Sequence, residues 1–272
     1  MATTTVFRRI KEGVIRSHTN AIKPYLTEEN KRARLQFCLS MIESVARPRY
    51  DEDGVEYFSG KIGIFPFVIK EPARRNSKNR VVGTLETKPI LSVTKDVTRT
   101  CLIEKVLPAI RSKWPLSRSN GPIFIQQDNA RPHLGVNDVE FNEATRQGGF
   151  DIRLCFQPPN SPDLNVLDLG FSRAIQSLQH QRAPSTHQRA PSTIDELINA
   201  VESSFNEMKV DRLNHVFLTL QSCMVEVTKD KGGNNYKVPH MKKDTLEREG
   251  NLPVRVSCNI DIVNQAISLI QS

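Results

Sequence analysis

The stretch Pro122-Ile-Phe-Ile-Gln-Gln-Asp-Asn-Ala-Arg-Pro-His133 decides the fold class of this 272-residue chain. Its first five residues form a short apolar run, which predicts a buried strand over 122–126. Asp128 comes just after that run. Side chains at the carboxyl end of a strand in an α/β sheet face the crevice where ligands bind. The stretch therefore predicts an α/β fold with Asp128 at a ligand-binding edge.

A second acidic stretch, Gln157-Pro-Pro-Asn-Ser-Pro-Asp-Leu-Asn-Val-Leu-Asp168, follows another strand candidate, Ile152-Arg-Leu-Cys-Phe156. Ser161 and Pro162 are typical of a helix N-cap and first helical position. They predict one long helix that places Asp168 about two turns inside it. The 39 residues between Asp128 and Asp168 accommodate a strand, a helix, a second strand and the start of the next helix.

Two carboxylates brought together in this way repel each other, and a divalent cation relieves the repulsion. Mg²⁺ is the natural choice for oxygen ligands. The pattern alone leaves a plainer alternative open, because an aspartate at a strand end is often only a turn residue or a helix cap. We expect Asp163, in the first turn of the helix, to interact with the helix dipole rather than to bind a metal.

The remaining elements follow from apolar periodicity and capping signals. Predicted helices span 98–113 (with a kink at Pro108), 138–147, a segment opened by Thr193 with Glu196, and 211–228. Asn137 with Glu140 predicts the cap of the 138–147 helix, and Gly148 predicts its end. The tandem repeat His180-Gln-Arg-Ala-Pro-Ser-Thr186, copied at 187–193, is expected to be a duplication in a surface loop between two helices.

Composition narrows the classes of function. Apolar residues make up 38% and charged residues 25%, as in a globular protein. No apolar run is long enough for a membrane span, and no Gly-rich phosphate loop is present, so we expect neither a membrane nor a nucleotide cofactor as partner. The five cysteines are scattered without a CxxC pair, which argues against a disulfide framework or a zinc site.

The net charge is +8, from 38 basic and 30 acidic residues, and permits nucleic-acid binding. Basic residues cluster in the N-terminal arm and in the segment 70–80, which we predict to be an exposed loop. A solvated face and phosphate contact are both open explanations for the two clusters. The candidate DNA contacts are Arg8, Arg9, Lys11, Arg16, Arg74, Arg75, Lys78 and Arg80.

Together the two acidic stretches resemble the signature of mariner-like transposases, in the branch whose second and third catalytic aspartates are separated by thirty-nine residues. The resemblance extends over about 5–258. Other segments that carry it are Phe58-Ser-Gly-Lys-Ile-Gly-Ile-Phe-Pro-Phe67, Gly83-Thr-Leu-Glu-Thr-Lys-Pro89, Leu220-Gln-Ser-Cys-Met224 and Pro239-His-Met-Lys-Lys243.

This resemblance implies a ribonuclease-H-like domain in which three acidic residues hold two Mg²⁺ or Mn²⁺ ions for DNA cleavage and strand transfer at terminal inverted repeats. Asp128 matches the second catalytic aspartate and Asp168 the third. Asn129 and His133 belong to the first motif, and we expect them to support the aspartates rather than to bind the ion. His133 as a general base is the less favoured alternative. The implied partner is transposon-end DNA and the implied location is the nucleus; a homodimer is left open.

The sequence departs from the family where the first catalytic aspartate should lie. No segment resembles His-Ile-Asp-Glu-Lys-Trp-Phe, and a connector-like stretch, Arg32–Glu43, runs straight into Ser44–Asp51, which resembles the end of the third strand. Asp51 and Asp53 are the nearest acids, and we expect them in an exposed hairpin turn. We therefore predict an incomplete ribonuclease-H-like domain over 44–228. It is preceded by a remnant of a DNA-binding region and connector (1–43) and followed by a C-terminal extension (229–272).

Two consequences follow from the missing segment. The metal site lacks one ligand, so we expect the chain to be catalytically defective. The strand over 123–126 loses its central neighbour, which exposes an apolar edge. The competing hypotheses are a non-catalytic DNA-binding or regulatory protein derived from a transposon, and a translated relic that does not fold stably.

Overall fold

The computed structural model describes residues 27–28, 31, 47–77, 80–115, 121–185 and 193–271. Its strands form three two-stranded sheets. Two are antiparallel hairpins, β1 with β2 and β3 with β4, and the third is the parallel pair β5 with β6. The strands are β1 (Arg49–Tyr50), β2 (Glu56–Phe58), β3 (Val68–Pro72), β4 (Leu85–Pro89), β5 (Ile123–Gln127) and β6 (Ile152–Phe156).

Helices dominate the rest of the described chain, so the fold mixes helices and strands as predicted. In chain order they are α1 (Lys95–Cys101), α2 (Leu107–Lys113), α3 (Val139–Thr145), α4 (Ser172–Ser185), α5 (Ile194–Glu207), α6 (Val210–Lys229), α7 (Lys243–Arg248) and α8 (Ile260–Gln271). No helix among the described residues is both long and apolar enough to cross a bilayer.

The parallel pair β5–β6 confirms both predicted strands. The register joins Ile123 to Ile152 and Gln127 to Phe156. Apolar side chains from this pair pack with Leu107, Phe141 and neighbouring residues in one buried cluster. Among the described strands, β5 pairs with β6 alone, so no described strand covers its other edge.

The predicted helix over 98–113 is present, but its hydrogen-bonding pattern changes along its length. A π-helical turn, Leu102–Val106, connects α1 to α2, and Pro108 is the second residue of α2. Proline cannot donate a backbone hydrogen bond and its ring clashes with the preceding turn. A wider turn just before Pro108 accommodates both effects.

Asp138, not the predicted Asn137, caps helix α3. Its Oδ1 accepts a hydrogen bond from the backbone N–H of Phe141 at 3.0 Å. Arg99 on α1 also grips this carboxylate, with Nη2 2.9 Å from Oδ2 and Nε 3.1 Å from Oδ1. These hydrogen bonds from Arg99 hold the pKa of Asp138 below its ordinary value. The prediction missed the cap by one residue because both neighbours are good N-cap types. Helix α3 ends at Thr145, two residues before the predicted end at 147, and Gly148 (φ 77°) lies in the 3₁₀ turn Gln147–Gly149 that follows.

The single long helix predicted to begin at Ser161 is wrong, because the chain breaks it into three parts. Pro162–Leu164 forms a 3₁₀ turn, Asn165 is extended, and a π-helical segment, Leu167–Phe171, leads into α4. The Ser161 hydroxyl donates to Pro159 O and does not cap a helix. Asn165 Oδ1 instead accepts from Leu167 N at 3.0 Å, so the helical chain restarts there. Asp168 therefore lies in the first turn of a new segment.

Two predicted loops are partly regular. Lys70 belongs to strand β3, so the exposed loop of the basic segment begins only after Pro72. In the tandem repeat, residues 180–185 are helical and end α4, which contradicts the predicted surface loop there. Residues 186–192 lie outside the described part.

The turn over 51–54 is the predicted exposed hairpin. Asp51 Oδ1 accepts from Asp53 N at 3.1 Å and from Val55 N at 2.8 Å, which fixes the connection between β1 and β2. The Asp51 carboxylate therefore serves the turn, and Asp53 contributes its backbone N–H to it.

The C-terminal segment packs on α6 rather than standing apart. Val256 N donates to Gln221 Oε1 at 3.0 Å, and Lys243 Nζ donates to Thr219 Oγ1 at 2.8 Å. Helix α6 confirms the predicted helix over 211–228 and buries Leu220, Met224 and Val227 against Leu164. The same helix thus contacts both the C-terminal segment and the chain that leads to Asp168.

Candidate functional site

Asp128 directly follows β5, at the carboxyl end of the parallel pair, as the sequence predicts. Its side chain is 56% exposed, and Oδ1 accepts from Ala130 N at 2.8 Å. His133 Nδ1 lies 2.9 Å from Oδ1 and 2.9 Å from the backbone oxygen of Asp128. These contacts fix the turn after β5 and leave the rest of the carboxylate open to solvent.

Side-chain amides tie this turn to the second acidic stretch. Asn129 Nδ2 donates to Gln157 O at 2.9 Å, and Gln126 Nε2 donates to Leu164 O at 3.0 Å. The buried Gln157 side chain donates to Ser161 O at 2.7 Å and accepts from Asn165 Nδ2 at 2.9 Å. We call Gln126, Asn129, Gln157 and Asn165 the carboxamide network. It holds the chain after β6 against the end of β5.

Asp168 stands three residues beyond Asn165, the last member of the network, and is exposed. Because Asn165 Oδ1 accepts from Leu167 N, the network fixes the backbone up to the residue before Asp168. Asp163 differs from both aspartates, since it accepts a hydrogen bond from the Tyr236 hydroxyl. This contact anchors Asp163 to the chain after α6.

The motif residues Asn129 and His133 therefore act on backbone and carboxylate geometry. Asn129 connects the two acidic stretches, and His133 contacts Asp128. Asp168 does not join Asp128 and His133 in a group of three ligand atoms within 4.8 Å of one another. A cation shared by Asp128 and Asp168 stays a prediction.

Asp128 and Asp168 offer the ligand type that a hard cation prefers, but two carboxylates are too few for two ions. Carboxylate oxygens are the ligands that Mg²⁺ and Mn²⁺ prefer, and Asp128 and Asp168 are both exposed. Two-ion catalysis needs carboxylates that bridge and flank the two ions. No third His, Cys, Asp or Glu converges with these two aspartates among the residues described here. The described residues therefore do not supply the third ligand that the two-ion arrangement needs.

Of the candidate DNA contacts, the structure describes three. Arg74 and Arg75 are exposed between β3 and β4, where Ala73 is buried beneath the turn. Arg80 forms an ion pair with Glu86 on β4. Lys70 lies 3.4 Å from Asp195 on α5. The hairpin therefore offers Arg74 and Arg75 to a partner more freely than the other two, and Arg8, Arg9, Lys11, Arg16 and Lys78 lie outside the described residues.

The sequence analysis missed one group of ligand-type side chains. His215 on α6, Asp244 and Glu247 on α7 each place one ligand atom within 4.8 Å of the others. Asp244 and Glu247 are three residues apart, a spacing that shares one helix face. That spacing is the only signal in the sequence, because His215 lies on a different helix.

No protein-family model matches this chain, and no curated protein does. Solved structures give a similarity in shape. The catalytic domain of Mos1 mariner transposase aligns with 79% of this chain and 100% of its own, with 16% identity and a TM-score of 0.48. The same domain with raltegravir and Mn aligns with 78% and 100%, at 15% identity and a TM-score of 0.47.

A third solved structure is the Mos1 mariner paired end complex with Mn. It aligns with 87% of this chain and 72% of its own, at 14% identity and a TM-score of 0.48. All three identities are low and the superpositions are partial.

Proposed function

We propose that this chain derives from a mariner-like DNA transposase and has lost strand-transfer activity. The observation that carries the proposal is the pair of acidic stretches joined by the carboxamide network. The ancestral reaction is DNA cleavage and strand transfer at terminal inverted repeats. Asp128 and Asp168 match two of the three catalytic aspartates, and nothing in the described chain takes the place of the third.

The division of labour among the residues follows from their contacts. Asp128 and Asp168 would hold a Mg²⁺ or Mn²⁺ ion, which in such reactions polarises the phosphate and activates the attacking oxygen. His133 holds the Asp128 turn through its 2.9 Å contacts. Gln157 and Asn165 fix the approach of the chain to Asp168. With one carboxylate missing, the activated oxygen and the leaving oxygen cannot both be held.

The first experiment measures metal-dependent cleavage. Purified full-length chain is incubated with Mn²⁺ and duplex DNA carrying the inverted repeats that flank its gene. We expect no cleavage above background, for the unaltered chain and for an Asp128→Ala variant alike. Robust Mn²⁺-dependent cleavage that Asp128→Ala abolishes would overturn the proposed inactivity and support a substitute for the missing ligand.

Metal binding at the aspartates is tested separately by electron paramagnetic resonance of Mn²⁺. We expect the Asp128→Asn, Asp168→Asn double variant to weaken Mn²⁺ binding at least about fivefold, since both proposed ligands lose their charge. Glu143→Gln, which alters an exposed carboxylate of α3, is the single-site control and should leave the affinity unchanged. Equal affinities for the unaltered chain and the double variant would refute the metal site.

A second candidate function is non-catalytic DNA binding, and the exposure of Arg74 and Arg75 favours it. Each phosphate contact contributes about 0.9 to the slope of log affinity against log salt. We expect the Arg74→Ala, Arg75→Ala double variant to reduce this slope by about 2 in gel-shift titrations with duplex DNA. Lys105→Ala with Lys237→Ala removes the same charge from two other exposed positions and should change the slope less. Equal slopes for the two double variants would remove this assignment of the DNA surface.

A further inference from the structure

The surface between α6 and α7 contains three ligand-type side chains that the proposed function does not use. His215 on α6 is buried, with its side chain only 8% exposed. Its Nε2 lies 3.3 Å from Glu247 Oε1, and its Nδ1 lies 3.5 Å from Asp244 Oδ1. One imidazole is thus bracketed by two carboxylates from the neighbouring helix.

His215 Nε2 is a buried polar atom without a hydrogen-bond partner, although Glu247 is near. A buried polar group left without a hydrogen bond is unfavourable. A buried imidazole nitrogen that has no hydrogen bond and a carboxylate oxygen nearby is able to take a metal ion. The missing hydrogen bond at this nitrogen distinguishes the group from an ordinary acidic cluster.

The spacing of the group fits a small tetrahedral ion. Zn²⁺ binds imidazole nitrogen and carboxylate oxygen at about 2.0–2.2 Å. Two such ligands at a tetrahedral angle lie about 3.3 Å apart, which equals the separation of Nε2 and Glu247 Oε1. All three ligand atoms lie within 4.8 Å. Asp244, which is largely exposed, needs only a side-chain rotation to come closer.

The packing of the two helices holds the group in place. Thr219, one turn after His215, accepts a hydrogen bond from Lys243 Nζ at 2.8 Å. Ser222, one turn further, has its hydroxyl 3.1 Å from Met241 Sδ. Both contacts attach the chain at the start of α7 to α6, at residues that follow His215 and precede Asp244. The approach of Asp244 and Glu247 to His215 is therefore set by the fold.

We propose that His215, Asp244 and Glu247 form a binding site for a divalent transition-metal cation of the zinc class. Imidazole nitrogen and carboxylate oxygen both bind Zn²⁺, and three protein ligands leave a fourth position for water. The scattered cysteines argued against a zinc site, but the ligands proposed here include no cysteine. Binding would clamp α7 to α6 and is independent of Asp128 and Asp168.

Zinc binding is measured by calorimetric titration of the chelator-treated full-length chain, and Co²⁺ absorption reports the ligand geometry. We expect one Zn²⁺ per chain at this site and the visible bands of a four-coordinate Co²⁺ without cysteine charge transfer. The Asp244→Asn, Glu247→Gln double variant should weaken binding at least about a hundredfold, since loss of even an outer partner of a ligand costs 10–100-fold.

Two control variants locate the ion. Glu249→Gln with Asp261→Asn removes the same charge from exposed positions nearby and should bind Zn²⁺ as the unaltered chain does. Asp128→Asn with Asp168→Asn should also bind normally, which separates this site from the proposed transposase site. The proposal fails if the chain binds no Zn²⁺, or if the Asp244→Asn, Glu247→Gln variant binds as tightly as the unaltered chain.

Substitution of Arg212 gives a further test, because it should change the Zn²⁺ affinity only if Asp244 binds the ion. Its Nη1 lies 3.4 Å from Asp244 Oδ1 and its side chain is largely exposed. The guanidinium therefore competes with a cation for this carboxylate. We expect Arg212→Ala to tighten Zn²⁺ binding several-fold, and an unchanged or weaker affinity would contradict the use of Asp244 as a ligand.

Discussion

The two acidic sites of this chain differ in what surrounds their carboxylates. Asp128 and Asp168 are exposed. Hydrogen bonds of side-chain amides, such as that of the buried Gln157, hold the backbone on which they stand. Asp244 and Glu247 instead lie beside a buried imidazole, where the packing of α7 on α6 places them. The residues of the first site lie in two sequence motifs. Those of the second site come together where α6 packs against α7. A sequence motif therefore indicates where functional residues lie, whereas side chains that converge from different helices are recognised only in the tertiary structure.

The largest effect is expected at the carboxamide network. Gln157→Ala removes the hydrogen bonds to Ser161 O and from Asn165 Nδ2, which contribute about 0.5–1.5 kcal/mol each, and leaves a cavity at a buried position. We expect the free energy of unfolding to fall by about 2–4 kcal/mol, measured by urea denaturation. Gln147→Ala, at an exposed position, should change it by less than about 0.5 kcal/mol. Equal effects of the two substitutions would show that the network does not hold the first site.

An intermediate effect is expected at Asp138, a carboxylate with a structural role. Asp138→Ala removes the cap of α3, which costs about 1–2 kcal/mol. Since Arg99 lowers the pKa of Asp138 in the folded chain, its contribution is complete above the unfolded pKa of about 3.9. It is lost as the pH falls through the folded value. Urea denaturation at a series of pH values should show the variant and the unaltered chain converging in acid; a constant difference would contradict the ion pair with Arg99.

The smallest effect is expected at Asp168 itself. Asp168→Asn alters an exposed side chain, so without metal the free energy of unfolding should change by less than about 0.5 kcal/mol. Thermal denaturation in the presence of a chelator measures this, with Glu143→Gln as the matched exposed control. If the free energy of unfolding fell by more than about 1 kcal/mol, Asp168 would have a structural role like that of Asp138. The two carboxylates would then no longer differ in kind.

Local signals predicted much of the fold. Strands β5 and β6 and helices α5 and α6 lie where apolar periodicity and the Thr193 cap place them. Gly148 lies three residues beyond the end of α3, in the left-handed region that glycine enters without a steric cost. The position of Asp128 at the end of β5 follows from the same local pattern. The domain boundaries, the DNA contacts of the N-terminal arm and the nuclear location stay predictions.

The sequence by itself determined where β5, β6, α5 and α6 form and which two acidic stretches flank the parallel pair, since those depend on neighbouring residues. Only the tertiary structure decided the break at Asn165, the carboxamide network and the convergence on His215. Each of these depends on hydrogen bonds or packing between residues far apart in the chain. The N-cap preferences of Ser161 and Asn165 are similar, and the hydrogen bonds that Gln157 makes to Ser161 O and from Asn165 Nδ2 select between them. The His215 group could not be predicted for the same reason. The spacing of Asp244 and Glu247 within α7 does not indicate which other helix packs against that face.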